Sequence, residues 1–98
     1  MTREVWHTTS DKRVKAEEVL KKDDVVGRQS IYVRDCRSLG LAQEGYVIII
    51  DGSDEAIKRA DGLLKGLAAK YKKKEEVIKK FEEEEQKATE AFGFIIGG

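Results

Sequence analysis

The chain has 98 residues and a mass of 11.1 kDa, which predicts one α+β domain spanning 1–98 and excludes a second independent core. Its 19 basic and 19 acidic side chains cancel, so no net charge would steer it to nucleic acid or an acidic membrane. No stretch approaches the roughly 18 consecutive apolar residues of a membrane span, and residues 1–10 contain no apolar signal segment. A single cysteine excludes an intrachain disulfide and is typical of a reducing compartment, so we expect a cytoplasmic protein outside the membrane.

The composition resembles that of proteins from thermophiles. Charged residues make up 39% of the chain, with Lys and Glu dominating, although the chain contains no proline.

The first half of the chain alternates short strands and a helix. Residues 3–8 are β-branched and aromatic, which predicts a first strand. Thr9 and Ser10 can cap a helix that runs to about Lys22. Polar and apolar residues then alternate over 28–34, which predicts a half-buried second strand.

The third strand is the most strongly predicted element. Residues 45–51 carry a continuous apolar run from Val47 to Ile50, so we expect both faces of this strand to be covered. Ser53 follows and can cap the next helix, whose first residues Asp54 and Glu55 suit the positive end of the helix dipole.

A long apolar seam runs through the last forty residues. Steps of three and four from Ile57 to Ile95 place apolar side chains at ten of twelve positions, interrupted at Lys74 and Glu85. A spacing of about 3.5 residues is typical of a coiled coil. We therefore predict one helix over 54–92, about 58 Å long, that projects from the domain to join copies of the chain. The seam residues predicted to form the oligomer interface are Ile57, Leu64, Leu67, Tyr71, Ile78, Phe81 and Phe92.

This region has alternatives to one continuous helix. It could instead form a helical hairpin broken near Lys72–Lys74, although no Gly or Pro marks a turn there. Residues 92–98 could form a short final strand or an apolar plug.

The element order βαββα, with a final strand if one forms, predicts a ferredoxin-like two-layer sandwich. Two helices would cover one sheet face and leave the other open, and both faces of the third strand are too apolar for water. The open face and the seam together predict a small homo-oligomeric interaction or regulatory module, with a homodimer favoured.

Single-stranded RNA binding is an alternative function. Trp6, Tyr32 and Tyr46 fall one per predicted strand, and arginines lie close to them in sequence, notably Arg3, Arg28, Arg34 and Arg37. Aromatic rings on an open sheet can stack bases while arginines neutralise phosphates.

An enzyme is the third hypothesis, and it rests on Cys36 and His7. A thiolate nucleophile requires both side chains within hydrogen-bonding reach and a third group that orients the histidine. One Cys and one His cannot form a structural zinc site, and Glu82–Glu85 would spread around a helix, so we predict no metal site. No glycine-rich phosphate loop is present, and we predict no cofactor.

Overall fold

The computed structural model describes the backbone through residue 97 and the side chains through Gln86. Within these residues the chain forms a four-stranded antiparallel sheet with three α-helices and a short 3-10 turn at Val26–Arg28. The elements are β1 (Thr2–Thr8), α1 (Ser10–Lys22), β2 (Ser30–Asp35), β3 (Tyr46–Gly52), α2 (Asp54–Leu63), β4 (Ala69–Lys70) and α3 (Lys74–Gly97). The strand order across the sheet is β2-β3-β1-β4.

The elements predicted for the first half of the chain are confirmed to within two residues at each end. Thr9 is the N-cap of α1, and its backbone oxygen accepts the first helical hydrogen bonds. Ser53 caps α2 as expected, since its Oγ accepts a hydrogen bond from the backbone nitrogen of Ala56 at 3.1 Å. Side-chain capping therefore marks the start of α2, whereas α1 begins at the predicted place although the Thr9 side chain makes no capping hydrogen bond.

The predicted continuous helix over 54–92 is wrong. Helix α2 ends at Leu63, because Gly66 adopts a φ of +79° that residues with a Cβ rarely adopt. The backbone nitrogens of Leu67 and Ala68 both donate to the carbonyl of Leu64, which closes the helix end. The chain then returns to the sheet as β4 and turns into α3, so the predicted seam is divided between two helices.

Helices α1 and α2 cover one face of the sheet. Trp6 and Ile48, neighbours on β1 and β3, are fully buried there against Leu20 of α1 and Ala60 of α2. Leu64, at the end of α2, is also fully buried in this cluster. We call this apolar layer the first core.

Helix α3 covers the opposite face, which was predicted to be open. Val77 and Phe81 of α3 are fully buried against Val5, Val47 and Ile49 of the sheet. The continuous apolar run of β3 is therefore covered on both faces, as its composition predicted. We call this second layer the α3 core.

The α+β class is confirmed, but the described residues contain no long coiled-coil helix. The chain from 92 onward, predicted as a strand or plug, belongs to α3 as far as Gly97, and its side chains lie outside the described residues. In the part of the chain that the structure describes, no helix is both long and apolar enough to cross a membrane.

Candidate interaction surface

Strand β2 forms one edge of the sheet. Its six residues pair with β3 in one regular register, from Ser30 opposite Asp51 to Asp35 opposite Tyr46, with no bulge. Among the described residues no strand pairs with the outer side of β2. A regular edge of this kind presents backbone groups that can template another strand.

The outward-facing backbone groups of β2 belong to its odd-numbered residues. The backbone nitrogen of Cys36 donates to the carbonyl of Gly45 at 2.9 Å, which makes this pair hydrogen-bonded. Hydrogen-bonded and non-hydrogen-bonded pairs alternate in an antiparallel ladder, so Tyr32 and Arg34 also bond to β3. Ile31 and Val33 must then direct their N–H and C=O groups outward.

Two other hydrogen bonds agree with this orientation. The Arg34 guanidinium donates to the carbonyl of Val33 at 3.0 Å, and the backbone nitrogen of Leu39 donates to the carbonyl of Asp35 at 3.2 Å. Both carbonyls are thus turned away from β3. Each retains a second lone pair, because a carbonyl oxygen can accept two hydrogen bonds.

Three of the six side chains of β2 are apolar or aromatic, and all three are only half-buried. Ile31 and Val33 pack against the first core on one sheet face. Tyr32 packs against the α3 core on the other, with its ring centroid 4.9 Å from that of Phe81. A further strand beside β2 would therefore bury apolar surface on both faces.

The opposite edge of the sheet is short. Strand β4 contains two residues, which pair with Trp6 and His7 of β1. The backbone nitrogen of Tyr71 then donates to the carbonyl of Val5 at 2.9 Å. Very short edge strands are a common protection against edge-to-edge pairing. Strand β2 is consequently the better template of the two edges.

The predicted oligomer-interface residues are used largely inside the chain. Leu64 and Phe81 are fully buried, and Ile57 is 6% exposed. Their neighbours divide between the two layers: Leu67 packs on the first core, whereas Tyr71 and Ile78 pack on the α3 core. Phe92 lies outside the described side chains. The structure does not align these residues on one surface.

The predicted RNA-binding aromatics do not share an open face. Trp6 is fully buried in the first core, and its Nε1 donates to Asp61 at 3.1 Å. The Tyr46 ring lies beneath the Arg13 guanidinium of α1, 4.8 Å from its centroid. Tyr32 lies on the other face against Phe81, so the three rings form no common stacking platform.

The arginines named with them are distributed around the molecule. Arg34 lies 5.2 Å from the Phe81 ring centroid and pairs with Glu84 at 3.2 Å. Arg37 lies 3.7 Å from a carboxylate oxygen of Glu44. Arg28 is exposed in the turn before β2. RNA binding stays a prediction, and no contact between described side chains favours it.

Arg3 connects the sheet to α3. Its guanidinium forms a two-pronged pair with Asp51, in which Nη2 donates to Oδ2 at 2.7 Å, and it also reaches Glu82 at 3.3 Å. The hydrogen bond to Asp51 raises the pKa of Arg3 further above its ordinary value. Together with Arg34 and Glu84, these ion pairs flank Phe81 and position α3 on the sheet.

Cys36 and His7 do not form a nucleophile pair in this arrangement. The Cys36 thiol is buried in the α3 core, and burial raises its pKa, which disfavours the thiolate. His7 Nε2 instead lies 2.8 Å from the backbone carbonyl of Glu44. The enzyme hypothesis stays a prediction without geometric support.

The other surface features of the described residues form no developed site. An open depression of about 360 Å³ beside the start of α1 is lined by His7, Thr9, Lys12 and Leu67, among others. Across the described residues, no group of three or more His, Cys, Asp or Glu side chains is arranged to hold a metal ion.

Sequence reasoning did not identify the outer edge of β2. The alternation in residues 28–34 predicted a half-buried strand, but which strand lies at the edge depends on the sheet order.

In three comparisons, no protein-family model, no curated protein and no solved structure matches this chain.

Proposed function

We propose that this protein is a small homo-oligomeric interaction module, with a dimer as the favoured assembly. The observation that carries the proposal is the regular outer edge of β2, which pairs with no strand among the described residues and carries half-buried apolar side chains. Helices of the same chain cover both faces of the sheet, so another copy can join the sheet only at an edge strand. Pairing of one edge strand with another is a common mode of protein association.

We infer a ferredoxin-like arrangement for the core of this module. The order β2-β3-β1-β4, the antiparallel pairing and the position of α1 and α2 on one face support it. In this interpretation β4 is reduced to two residues and α3 is an addition that covers the second face. The cytoplasmic location is likewise a proposal, and it rests on the single cysteine.

The molar mass in solution tests the proposal. Light scattering on a sizing column should give about 22 kDa, twice the chain mass of 11.1 kDa, over a broad range of concentrations. A mass of 11.1 kDa at every concentration would contradict it.

A further inference from the structure

Resting on the proposed function, we infer that two copies pair their β2 strands antiparallel, with Tyr32 beside its own counterpart at the two-fold axis. The two sheets then form one continuous sheet. An axis perpendicular to the sheet keeps the first core of both copies on one side and the α3 core of both on the other. Such a contact is isologous, because each copy uses the same residues.

The backbone orientation of β2 suits this register. With Tyr32 on the axis, Ile31 of one copy lies opposite Val33 of the other. These are the residues whose N–H and C=O groups point outward, so each such pair can exchange two hydrogen bonds. The two symmetric pairs provide about four inter-strand hydrogen bonds, and the Tyr32 pair between them is the non-hydrogen-bonded kind.

The side chains of β2 are also complementary in this register. Ile31 and Val33 meet across the axis on the face of the first core, where both are already half-buried. The two Tyr32 rings meet on the face of the α3 core. Ser30 then lies opposite Arg34. Apolar and aromatic cross-strand pairs of this kind stabilise antiparallel sheets.

The neighbouring registers are less favourable. Placing Val33 on the axis sets Ile31 opposite the Asp35 carboxylate. Placing Ile31 on the axis leaves only Ser30, Ile31 and Tyr32 paired within β2, and further pairing would have to run into the 3-10 turn at Val26–Arg28. The side-chain pairs and the length of the strand therefore favour the register centred on Tyr32.

Cysteine cross-linking tests the register. In a Cys36→Ala background, Tyr32→Cys places two cysteines at a non-hydrogen-bonded pair with Cα atoms about 4.5 Å apart, which is within the range of a disulfide. Mild oxidation should convert this variant largely to a reducible dimer. Lys58→Cys, on the exposed side of α2, is the matched control and should stay largely monomeric on denaturing gels. Efficient cross-linking of Val33→Cys instead of Tyr32→Cys would overturn the register.

A proline variant tests the backbone pairing. Val33→Pro removes an outward N–H without removing a hydrogen bond to β3, and proline is tolerated at such edge positions. Two of the about four inter-strand hydrogen bonds are lost, so the dimer dissociation constant should rise by about tenfold or more. Trp6 fluorescence and far-ultraviolet circular dichroism should remain those of the parent chain.

Hydrogen exchange tests the interface in the unmodified chain, so the result does not depend on whether a variant folds. The amides of Ile31 and Val33 should be protected in the dimer and exchange faster on dilution, whereas that of Tyr32 should stay protected throughout. A dimeric mass with rapid exchange at Ile31 and Val33 and no cross-link at Tyr32 would overturn the β2 interface but leave the proposed function intact. A monomeric mass under all conditions would overturn both.

Discussion

Phe81 is the residue whose removal most directly tests how α3 is held on the sheet. Its side chain is fully buried in the α3 core, 4.9 Å from the Tyr32 ring centroid. The guanidinium groups of Arg3 and Arg34 lie 5.7 and 5.2 Å from its own ring centroid. Phe81→Ala removes the ring but leaves the neighbouring ion pairs in place.

The expected loss of stability follows from this burial. A fully buried Phe replaced by Ala costs about 3–5 kcal/mol, because the transfer energy is lost and a cavity remains. The two arginines lie at the edge of the α3 core, so their attraction to the ring adds at most about 1 kcal/mol. Domains of this size have a total stability of about 5–15 kcal/mol, so this single change removes a large fraction of it.

Urea unfolding at one fixed protein concentration measures the loss. Trp6 is the only tryptophan, and it lies in the first core on the opposite side of the sheet. With an m-value of about 1.5 kcal/mol per molar urea, the midpoint should fall by about 2–3 M. The same shift should appear by circular dichroism if both cores unfold together. Glu83→Ala, at an exposed position of the same helix, should change stability by less than about 0.5 kcal/mol.

The outcome distinguishes two physical situations. If the Trp6 transition moves with the helix signal, the α3 core and the first core form one cooperative unit across the shared strands. A loss below about 1 kcal/mol by both probes would refute the placement of Phe81 as the anchor of α3.

Three further perturbations test other parts of the structure. The Arg59 guanidinium, 2.7 Å from Asp23, lowers the pKa of that carboxyl to about 2. Because the folded-state pKa lies below the ordinary value of 3.8, this pair should stabilise the fold above about pH 4 and lose that effect as the pH falls toward 2. Acid titrations of Asp23→Asn should lack that part of the dependence, and an unchanged acid limb would contradict the assignment. Gly66→Ala should destabilise by about 1–2 kcal/mol because of the positive φ, whereas Gly62→Ala, inside α2 with open space around it, should stabilise by about 1 kcal/mol; equal effects in thermal melts would refute the backbone argument. The buried Cys36 thiol should react with iodoacetamide only slowly near neutral pH and rapidly once the chain is unfolded, since burial raises its pKa; rapid alkylation of the folded chain would revive the nucleophile hypothesis.

Local sequence signals predicted much of the fold. The alternation in residues 28–34, the apolar run Val47–Ile50 and the Ser53 cap each act over a few residues, and all of them appear where expected. The apolar run also indicated that both faces of β3 would be covered. It did not show that α3 of the same chain would cover the second face.

These local signals did not predict the path of the chain after α2. Gly62 and Gly66 could not be distinguished in the sequence, since each has the same unfavourable helix propensity. Only the packing of Leu64 into the first core and the return of β4 to β1 made Gly66 a helix end. The 3.5-residue spacing persisted because both helices bury an apolar stripe, although they bury it on opposite faces of one sheet.

At the candidate interaction surface, too, the sequence predicted the strand and the tertiary structure decided its place in the sheet. The sequence by itself determined that β2 is a strand with apolar and aromatic residues, because side-chain alternation is a local property. Whether that strand lies at the centre or the edge of a sheet is decided by which strands pair, and these pairs join residues far apart in the chain. The tertiary structure alone therefore decided that the outer side of β2 is left without a strand partner among the described residues.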